Sequence, residues 1–88
     1  MERYKVFIKP SAVKEIEAIP GKKLRQQIIQ RIGLLADNPR PPGCQKLSGY
    51  DRYRIRQGSY RIVYGIEDHE LVVYVVRVGY RKEVYRTR

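Results

Sequence analysis

Residues Tyr53–Tyr64, with the sequence YRIRQGSYRIVY, decide the fold of this 88-residue chain. Apolar and polar residues alternate on both sides of a central glycine–serine pair, which is typical of two strands joined by a two-residue turn. Such a hairpin places Ile55 opposite Ile62 on one face of a sheet, and Arg56 opposite Arg61 on the other face. We expect the isoleucine face to be buried and the arginine face to be exposed.

A third strand follows the hairpin after a turn at Asp68-His69. We predict strands over Asp51–Arg56, Tyr60–Ile66 and Leu71–Val78, with Gly79 ending the last. A two-residue turn pairs Ile66 with Leu71, Tyr64 with Val73 and Ile62 with Val75. The apolar face of the three strands then consists of Tyr53, Ile55, Ile62, Tyr64, Ile66, Leu71, Val73 and Val75.

The first half of the chain predicts one strand and two helices. Alternation from Arg3 to Lys9 indicates the strand. Ser11 is the expected N-cap of a first helix that carries Val13, Ile16 and Ile19. After Pro20-Gly21, a second helix presents Leu24, Ile28, Ile32 and Leu35 at helical spacing, and Pro39–Gly49 is a predicted loop. The predicted fold is α+β: a strand, two helices, then an antiparallel β-meander, in a single domain over residues 1–88. The helices pack on one face of a twisted sheet, and the opposite face is basic.

The charge balance indicates an anionic partner. Lys and Arg number 19 against nine Asp and Glu, which gives a formal net charge of +10. Self-repulsion of this size opposes folding. Nucleic acid, an anionic membrane surface or an acidic protein would each explain it, and a generally solubilising surface is the alternative.

Arginines concentrate on the predicted exposed face. Arg54, Arg56 and Arg61 converge there, with Arg52 further along. Like charges directly opposite each other across two strands repel, so stability alone does not favour this pairing. Three guanidinium groups can hold a phosphate and stabilise developing charge on it. A solvated sheet face remains the alternative.

The C-terminal residues combine aromatic and basic side chains. Eight of the nine aromatic residues are tyrosines, and Tyr80 and Tyr85 stand among Arg81, Lys82 and Arg86. Aromatic rings near cations stack unpaired bases, which favours an RNA contact over simple packing of the tail.

Other kinds of site have little support in the sequence. The single cysteine, Cys44, has no disulfide partner in the chain, and His69 falls in a predicted turn. We find no clustered metal ligands and expect neither a metal nor a cofactor. No apolar run approaches the ~20 residues that span a bilayer, so we expect no membrane association and a cytoplasmic location.

The order of three motifs resembles the RelE branch of the RelE/ParE toxins of toxin–antitoxin pairs. The motifs are Tyr53-Arg54-Ile55-Arg56, Ser59-Tyr60-Arg61-Ile62-Val63-Tyr64 and Val78-Gly79-Tyr80-Arg81 with Glu83-Val84-Tyr85. The resemblance covers nearly the whole chain and includes the loop that contains Lys46-Leu47-Ser48-Gly49.

The resemblance implies a ribosome-dependent endoribonuclease that cuts mRNA in the A site through attack by the ribose 2′-OH. Carried over by motif, the implied catalytic residues are Arg54, Arg56, Arg61, Arg81 and Tyr85. Residues expected to contact RNA around them are Lys46, Arg52, Tyr80, Lys82 and Arg86. The implied partners are the ribosome with its mRNA, and an acidic, partly disordered antitoxin that forms a hetero-oligomer with the toxin.

One difference between this sequence and the pattern of the family concerns proton transfer. Members of the family often have Lys at the positions of Arg54 and Arg56, and Lys can lose its proton where Arg effectively cannot. Tyr85 is then the nearest titratable group. Two other functions stay open: a ParE-like inhibitor of DNA gyrase, and a basic RNA-binding module without activity.

Overall fold

The computed structural model describes residues 3–47, 49 and 51–80. Its helices and strands are β1 Lys5–Ile8, α1 Pro10–Glu17, α2 Lys22–Leu34, β2 Gln45–Lys46, β3 Tyr53–Gln57, β4 Tyr60–Glu67 and β5 Val72–Tyr80. The strands form one sheet in the order β1-β5-β4-β3-β2. β1 runs parallel to β5, and every other neighbouring pair is antiparallel. The predicted α+β class and the order of helices and meander are confirmed.

Both helices pack on one face of the sheet and bury a continuous apolar core. The core contains Ala12, Ile16, Ile19, Ile28, Ile32, Leu35, Ile55, Ile62, Tyr64, Val73, Val75 and Val78. Tyr53 and Ile66 are partly buried against this cluster. Period-2 alternation in the strands and helical spacing in α2 explain most of these positions. The buried face of the hairpin was therefore predicted correctly.

The first helix differs from its prediction at both its start and its apolar face. α1 begins at Pro10, with Lys9 as the N-cap and no side-chain capping bond, so Ser11 is not the cap. Proline fits the first helical position because its missing N–H has no partner there in any case. Ala12, four residues before Ile16 on the same helix face, lies in the core and is fully buried, whereas Val13 is exposed.

The β4–β5 pairing differs from the prediction by two residues. Ile66 lies opposite Val73, and Tyr64 lies opposite Val75. The connecting turn covers four residues, Asp68–Leu71, rather than two. Leu71 lies in this turn with φ 56° and is not on the core face of a strand. Left-handed backbone is uncommon for leucine, so the turn could not be predicted from residue types.

An extra residue in β5 changes the pairing again further along. The register shifts between Val63 and Tyr64, and Val76 stands between the paired residues Val75 and Arg77. Such a bulge inserts one unpaired residue and reverses the inward and outward alternation beyond it. As a result Val78, rather than the predicted Val75, lies opposite Ile62 in the core.

The proline-rich segment is attached to the sheet by buried and surface hydrogen bonds. The hydroxyl of Tyr64, which is fully buried, donates to the carbonyl oxygen of Pro39 at 2.6 Å. At the surface, Asp68 accepts hydrogen bonds from Tyr4 Oη at 2.7 Å and from Arg40 Nη2 at 2.9 Å. The bonds to Pro39 and from Arg40 hold the segment before β2 against the sheet, and the bond from Tyr4 connects the residue before β1 to the β4–β5 turn.

No helix among residues 3–47, 49 and 51–80 is long and apolar enough to cross a membrane.

Candidate nucleic-acid interface

The β3–β4 hairpin places arginines on the sheet face opposite the helices. The predicted register is confirmed: Arg56 lies opposite Arg61, and Arg54 lies opposite Val63. Residues directly opposite each other have Cβ atoms about 4.5–5.5 Å apart. Arg56 is exposed, whereas Arg54 and Arg61 are half-buried. We call the surface formed by Arg54, Arg56 and Arg61 the arginine surface.

Arg61 lies in the middle of a row across three strands. Arg56 of β3 is its partner on one side, and Gly79 of β5 is its partner on the other. Gly79 contributes no side chain to this row. Two arginines opposite each other on neighbouring strands, next to a glycine, suit a phosphate group, because each guanidinium offers a fork of N–H donors.

A short strand that sequence reasoning missed adds Gln45 to the arginine surface. Within the predicted loop, β2 pairs with β3 and puts Gln45 opposite Arg54. Nη2 of Arg54 donates a hydrogen bond to Oε1 of Gln45. Prolines on the N-terminal side of this strand indicated a loop, and two residues are too few for an alternation pattern to reveal a strand.

Lys46 is not brought together with the arginines. It lies opposite Tyr53 in the β2–β3 pair, one position out of phase with Arg54. Successive residues of a strand point to opposite faces, so Lys46 belongs to the face that carries the helices.

Arg52 lies on the arginine side of the sheet but is directed across β4. A Cβ atom added at Gly65 would lie 3.3 Å from Nη1 of Arg52, so the guanidinium group covers this glycine. The same Nη1 donates to the carbonyl oxygen of Asp51 at 3.0 Å. Arg52 therefore extends the basic face toward β5.

Tyr80 is the last residue of β5, since the strand continues two residues beyond its predicted end at Val78 and Gly79 does not end it. It pairs with Tyr60, and the two rings meet edge-to-face with centroids 5.5 Å apart. Tyr60 packs against the core cluster, so this row lies on the helix side of the sheet. The structure thus separates the Tyr80 ring from the arginine surface.

Four residues predicted to form the site lie outside the described residues: Arg81, Lys82, Tyr85 and Arg86. Their contributions remain predictions. Within the described part of the chain, no group of three or more His, Cys, Asp and Glu side chains is placed to hold a metal ion. His69 is exposed in the β4–β5 turn, where its backbone N–H donates to Oε1 of Glu67 at 3.1 Å.

Comparisons with known proteins assign the chain to a family. Residues 6–85 match the model of the ParE toxin of the type II toxin–antitoxin system. A putative RelE-like toxin protein of Escherichia coli is 33% identical over 91% of this chain and 85% of its own length. The mRNA interferase toxin RelE of E. coli K12 is 37% identical over 74% of this chain and 73% of its own length.

Solved structures agree with this assignment. The toxin chain in the crystal structure of the intact E. coli RelBE toxin–antitoxin complex has a TM-score of 0.76 and 32% identity. The match covers 90% of this chain and 98% of that chain. The chain therefore belongs to the RelE/ParE family and is a RelE-like toxin of a type II toxin–antitoxin system.

Proposed function

We propose that this toxin is an endoribonuclease that cuts mRNA in the ribosomal A site. The observation that carries the proposal is the arginine surface, where Arg56 and Arg61 lie directly opposite each other on the exposed face of the sheet. A relative with 37% identity is named an mRNA interferase, which supports the same activity. Like charges in direct opposition destabilise the fold of the free protein, and a bound phosphate would offset their repulsion.

The proposed reaction uses the RNA's own nucleophile. The 2′-oxygen attacks the adjacent phosphorus, a new 2′-O–P bond forms, and the bond to the 5′-oxygen of the next nucleotide breaks. The products are a cyclic phosphate and a 5′-OH end. Neutralising the charge on the phosphoryl oxygens and holding the two reacting groups in line supply the acceleration, so the proposal includes no metal ion.

We assign each side chain a role from its position and chemistry. Arg61 holds the scissile phosphate, together with Arg54 and Arg56. Arg81 assists the leaving oxygen, and Tyr85 orients or stacks the nucleotide. The 2′-OH proton has no conventional acceptor among the arginines, because an arginine keeps its proton at any physiological pH. The phenol of Tyr85 is the titratable group that we propose for proton transfer.

An antitoxin is the proposed regulatory partner. RelE toxins of E. coli and of Pyrococcus horikoshii have been solved in complex with RelB antitoxins. For this chain we propose an acidic antitoxin, partly disordered when free, that covers the basic toxin in a hetero-oligomer. The proposed site of action, a translating ribosome, lies in the cytoplasm.

Primer extension on ribosomes tests the proposal. Purified toxin is added to ribosomes that carry a defined mRNA, and new 5′ ends are mapped. We expect a cut inside the A-site codon that is absent with naked RNA, weakened by Arg61→Ala and retained by Arg3→Ala. Arg3 is a matched charge control because it lies away from the arginine surface in an ion pair with Asp37.

Two outcomes distinguish the alternatives. RNA that binds but is never cut, at any toxin concentration, indicates a non-catalytic RNA-binding module. The match to the ParE toxin model makes inhibition of DNA gyrase the second candidate. Loss of gyrase supercoiling activity in the presence of the toxin, without any cut in mRNA, establishes that candidate instead.

A further inference from the structure

A row of four residues crosses the arginine side of the sheet at some distance from the arginine surface along β4. Phe7 of β1 lies opposite Tyr74 of β5, and Tyr74 lies opposite Gly65 of β4. Arg52 covers Gly65 from the far side of the row. The order of residues across the sheet is therefore two aromatic residues, a glycine and an arginine.

The two aromatic rings are stacked and open to solvent. Their centroids are 5.9 Å apart with an interplanar angle of 24°. Phe7 is 51% exposed and Tyr74 is 46% exposed, so neither ring belongs to the core. Water-facing sheet surfaces normally carry polar side chains, and an exposed pair of large apolar rings marks a binding surface.

The rings line a groove whose size and chemistry suit a nucleotide. Its volume is about 670 Å³, and Lys9, Arg52 and Gly65 also line it. Small-ligand sites commonly fall between ~300 and 1,000 Å³. Aromatic faces stack any base, and cations beside them hold the phosphate.

We propose that this groove binds an unpaired nucleotide of the RNA substrate, next to the one that is cut. The base stacks on Tyr74 and Phe7, and Arg52 and Lys9 hold its phosphate. This inference rests on the proposed function, because it assumes that the scissile phosphate lies at Arg61. Gly65 and Arg61 are four residues apart on one face of β4, which is about 13 Å along a strand. One RNA strand can therefore contact both places.

The carboxylates at the groove favour RNA over an acidic peptide. Asp51 and Glu67 line it together with the rings. A peptide rich in acidic residues would bring its own carboxylates against them. The amino group of a neutral base can instead donate hydrogen bonds to these carboxylates.

Binding of short single-stranded oligoribonucleotides to the full-length toxin tests the groove. Tyr74→Leu keeps an apolar side chain but removes the aromatic face, so we expect binding to weaken about tenfold. Tyr74→Phe keeps the face and should retain the affinity of the unchanged protein. Leu34→Ala is a control on α2, since Leu34 is a similarly exposed apolar residue, at 55%. Thermal melting of each variant verifies that it folds.

Crosslinking provides a readout that needs no variant. Oligoribonucleotides with 5-iodouracil at single positions are irradiated with the unchanged toxin, and the crosslinked peptides are identified by mass spectrometry. We expect crosslinks at Tyr74 or Phe7 for a base that flanks the cleavage position. Crosslinks found only in other peptides overturn the proposal.

The outcomes separate this inference from the function on which it rests. Unchanged RNA binding in Tyr74→Leu, with cleavage still lost in Arg61→Ala, overturns the groove and leaves the ribonuclease intact. Weakened RNA binding in Tyr74→Leu without cleavage by any form of the toxin supports the groove and overturns the ribonuclease. If Tyr74→Leu weakens binding of the antitoxin and leaves RNA binding unchanged, the groove is a protein-binding site and the RNA proposal is overturned.

Discussion

Gln45 and Arg54 are direct neighbours in the sheet, and Oε1 of Gln45 accepts a hydrogen bond from Nη2 of Arg54. The contact joins the two-residue strand β2 to the arginine surface. An arginine held in one orientation loses less conformational entropy when it binds a phosphate. Gln45 is therefore expected to act as a positioning residue for Arg54.

The first prediction follows from that hydrogen bond. Gln45→Leu should lower the rate of mRNA cleavage about fivefold, because one hydrogen bond contributes about 1 kcal/mol. Gln27→Leu, at an exposed position of α2, should leave the rate unchanged. If Gln45 acts through Arg54, its substitution should have no further effect in an Arg54→Ala background. Additive losses in the double variant would contradict the positioning role.

The second prediction concerns the opposed pair Arg56 and Arg61. Arg56→Gln removes one of two like charges that face each other across β3 and β4. We expect the free energy of unfolding to rise by a few tenths of a kcal/mol and RNA affinity to fall. Chemical denaturation at low and high salt measures the first effect, which should disappear as salt screens the repulsion. A variant that is both less stable and unchanged in RNA affinity would indicate that Arg56 has a structural role only.

The hairpin could be predicted from its own residues because every local signal there agrees. Alternation sets the faces, and the short turn sets the register, so the opposition of Arg56 and Arg61 followed directly. The β4–β5 pairing could not be obtained in this way. It depends on a turn in which Leu71 adopts φ 56° and on the extra residue Val76 in β5.

The parts of the candidate site that were not predicted from the sequence were missed for one physical reason. Gln45 enters the site only because β2 adds to the edge of the sheet, and that pairing is a tertiary event. Phe7 and Tyr74 meet because β1 runs parallel to β5, far apart in sequence. Local patterns predict the elements, but they do not determine which distant strands become neighbours.

The third prediction concerns pH and the surface cluster at Asp68. Hydrogen bonds from Arg40 and Tyr4 lower the pKa of Asp68 from its ordinary value of 3.8 to about 2. A lowered pKa in the folded state means that the ionised carboxylate stabilises the fold. This contribution is fully present above the ordinary pKa and is lost as pH falls through about 2.

Melting temperatures measured against pH test this expectation. Asp68→Asn should melt below the unchanged protein at neutral pH, and the difference should shrink between pH 3.8 and about 2. Asp51→Asn is the matched control, since Asp51 is also exposed but makes no ion pair among the described residues. A difference for Asp68→Asn that stays constant over this range would show that the carboxylate charge does not contribute.

The fourth prediction concerns the buried hydroxyl of Tyr64. Burial raises the pKa of this phenol, and its hydroxyl donates to the carbonyl oxygen of Pro39. Tyr64→Phe leaves that carbonyl without this donor, so the free energy of unfolding should fall by about 1–3 kcal/mol. Tyr74→Phe, at an exposed ring, should change it little. Equal stability of the two variants would mean that the hydrogen bond to Pro39 makes no net contribution.

The last prediction uses the contact between Gly65 and Arg52. A Cβ atom at position 65 would lie 3.3 Å from Nη1 and 3.7 Å from Cδ of Arg52, so Gly65→Ala should displace this flexible side chain. Stability should change by less than ~1 kcal/mol, because alanine loses less backbone entropy than glycine in a strand. RNA binding should weaken, but by less than in Arg52→Ala, because a Cβ atom 3.3 Å away requires the guanidinium group to move by only a few tenths of an ångström. Gly33→Ala is the control, since a Cβ there meets nothing within 4 Å. If Arg52→Ala leaves RNA binding unchanged, or if Gly65→Ala weakens it only as much as Gly33→Ala does, the contact between Arg52 and Gly65 does not contribute to RNA binding.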